Sequence, residues 1–318
     1  MSRKLTTLLA LSAVALLMSA VVAQANVISN FTTVFNTDFT TAGTGGMRNT
    51  GTGTITVSGV TGPVTQSYLY WHGPTNSSDP NANANVLVNG TAVTGTNIGF
   101  SQDNFWGFQN SQAYRASTTS VINGNGAYNL SNFVQLPNVQ VNGAATAVFF
   151  DDGNAANNRD VVIFNGNDSN FASAFDPAGW NLTLNGINYS TGSAFLTMFV
   201  SDGQNFASND DGTLRINGVA LASGGIFQGD SLPGGAGPTG NGNLFDIKTF
   251  DITSFLTPGI NNLNLTLDAG FNDALSAVVA AIDLPAGAAP PTVPEPASML
   301  LMGLGAAGLI AARRFRKA

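Results

Sequence analysis

The sequence predicts an all-β protein: tandem β-sandwich (jelly-roll-like) domains, preceded by an N-terminal signal peptide and followed by a short C-terminal hydrophobic helix. Three observations carry this. First, apolar residues come in bursts of four to six, as in Ser67-Tyr68-Leu69-Tyr70-Trp71-His72, Asn85-Val86-Leu87-Val88, Ala147-Val148-Phe149-Phe150 and Asp160-Val161-Val162-Ile163-Phe164. They are rich in β-branched and aromatic residues and too short for helices. Second, Asn-Gly pairs at 89–90, 123–124, 142–143, 165–166, 185–186 and 217–218 punctuate the bursts, and both residues tolerate the positive φ of tight turns. Third, segments recur in order. Val86–Val93 parallels Leu214–Leu221, Tyr114–Ile122 parallels Thr249–Leu256, and Ala145–Phe150 parallels Leu275–Ala280. A spacing of about 130 residues suggests a duplicated unit. We therefore expect one sandwich over 26–170 and a second over 171–289, with a single sandwich built from a duplicated unit as the alternative.

The N-terminal element, 1–25, has a basic start at Arg3 and Lys4, an apolar run from Leu8 to Val22, and small residues Ala23 and Ala25 around Gln24. This is the pattern of a secretory signal peptide, with cleavage expected before Asn26. Two of the 11 basic residues lie in this leader and four in the tail, which leaves five in the body. Of the 18 acidic residues only Glu295 lies outside the body, so the body carries seventeen aspartates and a net charge of −12. That balance argues against nucleic acid or anionic lipid as a partner of the body and favours bound cations. There is no cysteine, so disulfides, thiol chemistry and zinc–cysteine sites are excluded. Stability must come from packing, for which about 265 residues suffice.

The C-terminal element, 290–318, combines three features. Pro294 and Pro296 bracket Glu295 and prevent a helix from passing through them. From Ala297 to Ala312 the chain is uncharged, enough for a helix of roughly 24 Å against a bilayer core of about 30 Å. Arg313, Arg314, Arg316 and Lys317 follow, and would stay on the cytoplasmic side of such a span. This order of Pro-Glu-Pro, short transmembrane helix and basic cluster resembles the PEP-CTERM sorting signal of exported bacterial proteins. The resemblance implies transient membrane insertion, recognition by an exosortase-type transpeptidase, cleavage near Pro294-Glu295-Pro296, and delivery to the cell envelope, outer surface or extracellular matrix. An ordinary short anchor is the alternative.

The body resembles a family of bacterial and archaeal surface β-sandwich modules of undefined molecular role. The residues that carry this are Tyr68-Leu69-Tyr70-Trp71, the Asn-Gly hairpin, and Phe150-Asp151-Asp152 followed by Val161-Val162-Ile163-Phe164-Asn165-Gly166. The resemblance implies a surface sandwich and no particular activity.

Catalytic chemistry has little to start from. His72 is the only histidine and no serine sits in a Gly-x-Ser-x-Gly elbow, so we expect no enzyme activity. A hydrolase working through two carboxylates remains a third reading, with no pair of aspartates singled out. Calcium is possible at two loops, one with Asp151, Asp152 and Asp160, the other with Asp202, Asp210 and Asp211, because hard cations need clustered oxygen ligands. Carbohydrate could stack on Trp106 and Phe108 with Asp103 and Asn104 meeting its hydroxyls, if the loop presents them. Tyr70 and Trp71 could join such a platform or pack in the core. Thr52, Thr54 and Thr56 lie along one face of a strand, a row that an ordinary solvent-facing surface explains. The expected role is that of a structural or adhesive protein of the envelope or extracellular matrix; a carbohydrate-binding surface module, with extracellular polysaccharide as partner, is the alternative.

Overall fold

The computed structural model describes residues 27–101, 107–171, 179–205, 211–235, 242–267 and 273–288. The leader with Ala23, Ala25 and Asn26 lies outside them, as do the expected C-terminal helix and the basic cluster. The described residues form β1 (Val27–Thr44), β2 (Gly53–Val57), β3 (Val64–Thr75), β4 (Asn85–Val88), β5 (Thr91–Thr94), β6 (Thr96–Ser101), β7 (Asn110–Ser117), β8 (Gly126–Ser131), β9 (Gly143–Phe150), β10 (Arg159–Ser169), β11 (Asn181–Tyr189), β12 (Phe195–Ser201), β13 (Thr213–Ile216), β14 (Val219–Ser223), β15 (Phe245–Asp251), β16 (Gly259–Leu267) and β17 (Ser276–Pro285). The body is all-β, as expected; one turn of 3-10 helix at Thr253–Phe255 is the sole helical element among these residues.

The strands build a nine-stranded sheet, in the order β15-β12-β17-β10-β1-β9-β3-β7-β6, and two four-stranded sheets, β2-β8-β4-β5 and β11-β16-β13-β14. The duplication is visible in these orders. Neighbours β1-β9-β3-β7 have their counterparts in β10-β17-β12-β15, and β2-β8-β4-β5 in β11-β16-β13-β14. Each set alternates between an inner and an outer four-stranded antiparallel sheet, the connectivity of a jelly roll, and β6 is an addition to the first set. The second set thus opens with β10 at Arg159, because β10 pairs with β17 along its length. Segments Val86–Val93 and Leu214–Leu221 form equivalent hairpins, and Asn89-Gly90 and Asn217-Gly218 both take positive φ at their tips.

What joins the halves is β1. Its first part pairs with β10, from Val27 opposite Asn167 to Thr37 opposite Arg159, and its second part with β9, from Asp38 opposite Phe150 to Thr44 opposite Ala144. Between them the register slips and Asn36 adopts φ 51°, so the strand bends there. Three expected turns are not turns, the first being Asn142-Gly143, which leads into β9 with Gly143 opposite His72. Asn165-Gly166 lies inside β10 and Asn185-Gly186 is a bulge within β11. At 166 the glycine serves close approach, since a Cβ there would sit 1.8 Å from the Val27 carbonyl oxygen.

Bending β1 brings the two inner sheets face to face, and three hydrophobic layers result. Leu69, Trp71, Val148 and Phe150 point outward from the first inner sheet to meet Ile55, Val86 and Leu130. Val162, Phe164, Met198 and Ile282 do the same in the second half, against Leu184, Leu214 and Leu265. Between the inner sheets lie Tyr70, Phe149, Val161, Ile163, Phe199 and Val278, with Ala113, Ala145, Ala147 and Ala281 keeping the layer thin. The middle strands of this sheet, β9, β10, β12 and β17 above all, are therefore buried on both faces, and β9 is buried at every one of its positions. Tyr70 and Trp71 are both core residues: Tyr70 meets Phe199 edge-on at 5.9 Å, and Trp71 stacks on Tyr114 at 5.4 Å.

Candidate functional site

The sequence-derived candidates separate in space. In the β9–β10 loop, Asp151 is exposed and accepts the Gly153 N–H, while Asp152 accepts the Asn154 N–H, both ordinary aspartate turns. Hydrogen bonds from Asn154 and Asn157 hold the Asp152 carboxyl below the usual carboxylate range. Asp160 does not share that loop's surface. It is buried, its Oδ1 accepts the Asn36 N–H at 2.9 Å and its Oδ2 accepts the Gly287 N–H at 2.7 Å. One carboxylate thereby pins the bend of β1 to the end of β17.

The second loop is different. Asp202 and Asp211 are buried, and Asp273, which sequence reasoning passed over, lies within electrostatic reach of both. Asp273 accepts N–H bonds from Gln204 at 2.7 Å and Ala274 at 3.0 Å, yet burial, reinforced by Asp202 and Asp211, pushes its carboxyl up to about 10. Burial and the two neighbouring carboxyls thus favour its neutral form. Asp211 accepts the Ile226 and Phe227 N–H groups through one oxygen. Asp246, at the start of β15, is raised by burial and accepts N–H bonds from Gly229, Asp230 and Ser231. Asp210 lies outside the described residues. Among those described, no group of three or more His, Cys, Asp or Glu side chains is placed to hold a metal ion.

A polar seam crosses from one half to the other. Arg48, after β1, donates to Asn142 Oδ1 at 2.7 Å and to Asp202 Oδ1 at 2.6 Å, and Asn142 donates to Ser201 Oγ at 3.1 Å. Burial raises the Asp202 carboxyl and Arg48 counters it. Farther along, Asn167 donates to the Ser111 carbonyl and hydroxyl, and Asn165 Nδ2 meets the Tyr70 hydroxyl at 3.4 Å. Gly99 makes room for this seam, since a Cβ there would lie 2.6 Å from Asn167. His72 sits in the same layer, 1 % exposed, and burial lowers its imidazole to about 3. Asn167 faces it. His72 is therefore neutral and sealed from solvent, a poor position for a general base.

Of the expected sugar platform, Trp106, Asp103 and Asn104 lie outside the described residues. Phe108 is half-buried, in the loop between β6 and β7, and Asn76 secures that loop by donating to the Gly107 carbonyl and accepting the Gln109 N–H. A feature the sequence did not announce is a cleft of about 490 Å³ between the start of β1 and the start of β11. Ile28, Leu182 and Phe164 contribute its apolar surface, and Asn30, Asn181 and Asn185 its amides.

Residues 292–317 match the model of the PEP-CTERM protein-sorting motif, which includes Pro294, Glu295, Pro296 and the basic residues Arg313 to Lys317. The motif implies an exported protein, processed by exosortase and directed to the cell envelope or beyond it. No curated protein matches the chain.

Proposed function

We propose that the body is a structural or adhesive component of an extracellular matrix, installed there by its C-terminal signal. The observation that carries this is the sorting motif at 292–317 behind an all-β body whose middle strands, β9, β10, β12 and β17, are buried on both faces. Among the described residues the halves are bound together by the seam of Arg48, Asn142, Ser201 and Asp202 and by the apolar layer around Tyr70 and Phe199. A non-catalytic role also suits His72, whose ring is enclosed where no substrate reaches it. To test the proposal, cells lacking the gene are compared with complemented cells. The mature body should fractionate with the matrix, and its loss should weaken matrix cohesion or surface attachment; a freely soluble body whose loss changes neither contradicts the proposal.

A second reading, carbohydrate binding, is favoured by the cleft beside β11. Amides of Asn30, Asn181 and Asn185 above an apolar floor of Ile28 and Leu182, with the Asp168 carboxyl in the lining, suit a neutral polyhydroxylated ligand better than an anionic one. Titration of the body with neutral and acidic matrix polysaccharides separates this reading from a purely structural role.

A further inference from the structure

Ala288, the last of the described residues, is 1 % exposed and part of the second half's core. The chain there is tied on both sides. Ala286 donates to the Asn158 carbonyl at 3.2 Å, Gly287 donates to Asp160, and Ala288 donates to the Pro285 carbonyl at 2.9 Å. Pro294 follows six positions later in the sequence. At about 3.3–3.6 Å per residue, that chain spans at most about 20 Å. The sorting signal is thus presented on a short leash, and the leash leaves from one defined end of the molecule.

That end is identified by the strand register. Arg159 of β10 faces Thr37 of β1 and Pro285 of β17, so the bend at Asn36, the start of β10 and the exit at Ala288 lie together. The β11–β12 turn joins them, because a Cβ on Gly192 would touch Pro285 at 2.6 Å. Tyr189, whose hydroxyl donates to the Gly192 carbonyl, pairs with Gly259 beside Ile260. Two large apolar side chains are exposed at this end, Phe35 at 42 % and Ile260 at 76 %. Val27, by contrast, lies eight residues along β10 from Arg159, roughly 26 Å away at strand rise. The N-terminus of the mature body and the buried aspartates near Ser201 and Ser276 therefore point away from the leash.

We propose that the end of the body formed by Phe35, Asn36, Gly192, Ile260 and Ala288 is the surface that meets the membrane-embedded sorting enzyme, and that the five-residue leash between Ala288 and Pro294 holds it there. This rests on the sorting reading and adds to it a surface and a length requirement. The packed exit also means that the signal is offered at a fixed place only once β17 has been inserted between β10 and β12, which couples presentation to completion of the fold.

The test uses the full-length precursor in cells with an active sorting enzyme, read as conversion of precursor to processed form. Deleting Ala289, Pro290 and Pro291 leaves two of the five residues between Ala288 and Pro294, and precursor should accumulate several-fold. Replacing the same three residues with Gly-Ser-Gly should leave conversion at the wild-type rate, since length rather than sequence is required. Ile260→Asp should slow conversion without changing the melting temperature. Wild-type conversion in the deletion variant or in Ile260→Asp overturns the proposal, as does failure of the Gly-Ser-Gly variant to convert. If the unaltered precursor is not converted at all, the sorting reading fails first and this inference with it.

Discussion

The two halves of the body share a strand order and differ in how they satisfy the same loops. In the first half the work falls to amides and hydroxyls. Asn83, two residues before β4, accepts the Val134 N–H through its side chain and the Trp71 indole N–H through its carbonyl, while Tyr114 donates to Gln112 at 2.5 Å. Asp211 occupies the equivalent place, two residues before β13, and joins Asp202, Asp246 and Asp273 among the buried carboxylates of the second half. The folds are alike because backbone N–H groups at these loops need acceptors, and either an amide or a carboxylate supplies one. They are not alike energetically. A buried carboxylate crowded by its own kind takes up a proton, so above neutrality pH acts on the second half's stability, whereas the first half's buried His72 acts only below about pH 6.5.

The largest effect is expected where the charged half meets the neutral one. Arg48→Met removes the cation beside Asp202 and leaves a buried, uncompensated carboxylate, at a cost of about 3–5 kcal/mol in a denaturant melt. Adding Asp202→Asn, which keeps the short polar side chain suited to its φ of 71°, should recover a large part of that loss. Full additivity of the two substitutions would mean that the pair does not join the halves.

A smaller, graded effect is expected from protons. Asp273 is raised to about 10, above its unfolded value, so the native state holds a proton that the unfolded chain gives up; stability therefore falls as pH rises from about 4 to 10, by up to about 1.4 kcal/mol per unit. His72 is lowered to about 3, so its contribution is present above its unfolded value of about 6.5 and is lost as pH falls from there toward 3. The two act together only in part. Above pH 6.5 the carboxylates act alone and acidification stabilises; below it the two trends oppose. Melting temperatures across pH 5 to 9 should thus rise toward the acidic side of neutrality, and Asp273→Asn should flatten the alkaline limb. An unchanged slope in that variant would place the pH dependence elsewhere.

The smallest effect concerns what the first half has and the second lacks, β6 and the loop that follows it. Phe108→Ala, at a half-buried position, should change stability little. If that loop takes sugar, the same substitution should weaken polysaccharide binding about three- to tenfold, the worth of one stacking contact. Unaltered binding would leave the cleft beside β11 as the site to pursue.

Much of the fold was legible because burial on both faces forces apolar continuity. The runs at 67–72, 147–150 and 160–164 are inner strands, and Asn89-Gly90 and Asn217-Gly218 are the hairpin tips their chemistry suggests. Strand β1 was not legible. Its eighteen residues mix Asn, Thr and Ser with isolated Phe and Val, since each face changes its neighbour at the bend. Asn165-Gly166 carried a turn's signature for another reason, the approach of the Val27 carbonyl. The candidate site was harder still. Asp160 reads as a loop ligand beside Asp151 and Asp152, and only the bend of β1, 124 positions away, shows it to be an anchor. Arg48 and Asp202 are 154 positions apart, a distance at which no local pattern reports contact.

The central claim, delivery to the cell surface through the C-terminal signal, is tested most directly by the intact mass of the mature protein, purified from cells with an active sorting enzyme. The account predicts a species that begins at or near Asn26 and lacks Arg313 to Lys317. A membrane-bound species that begins at Asn26 and still carries the basic tail would contradict it and make the C-terminal segment a simple anchor.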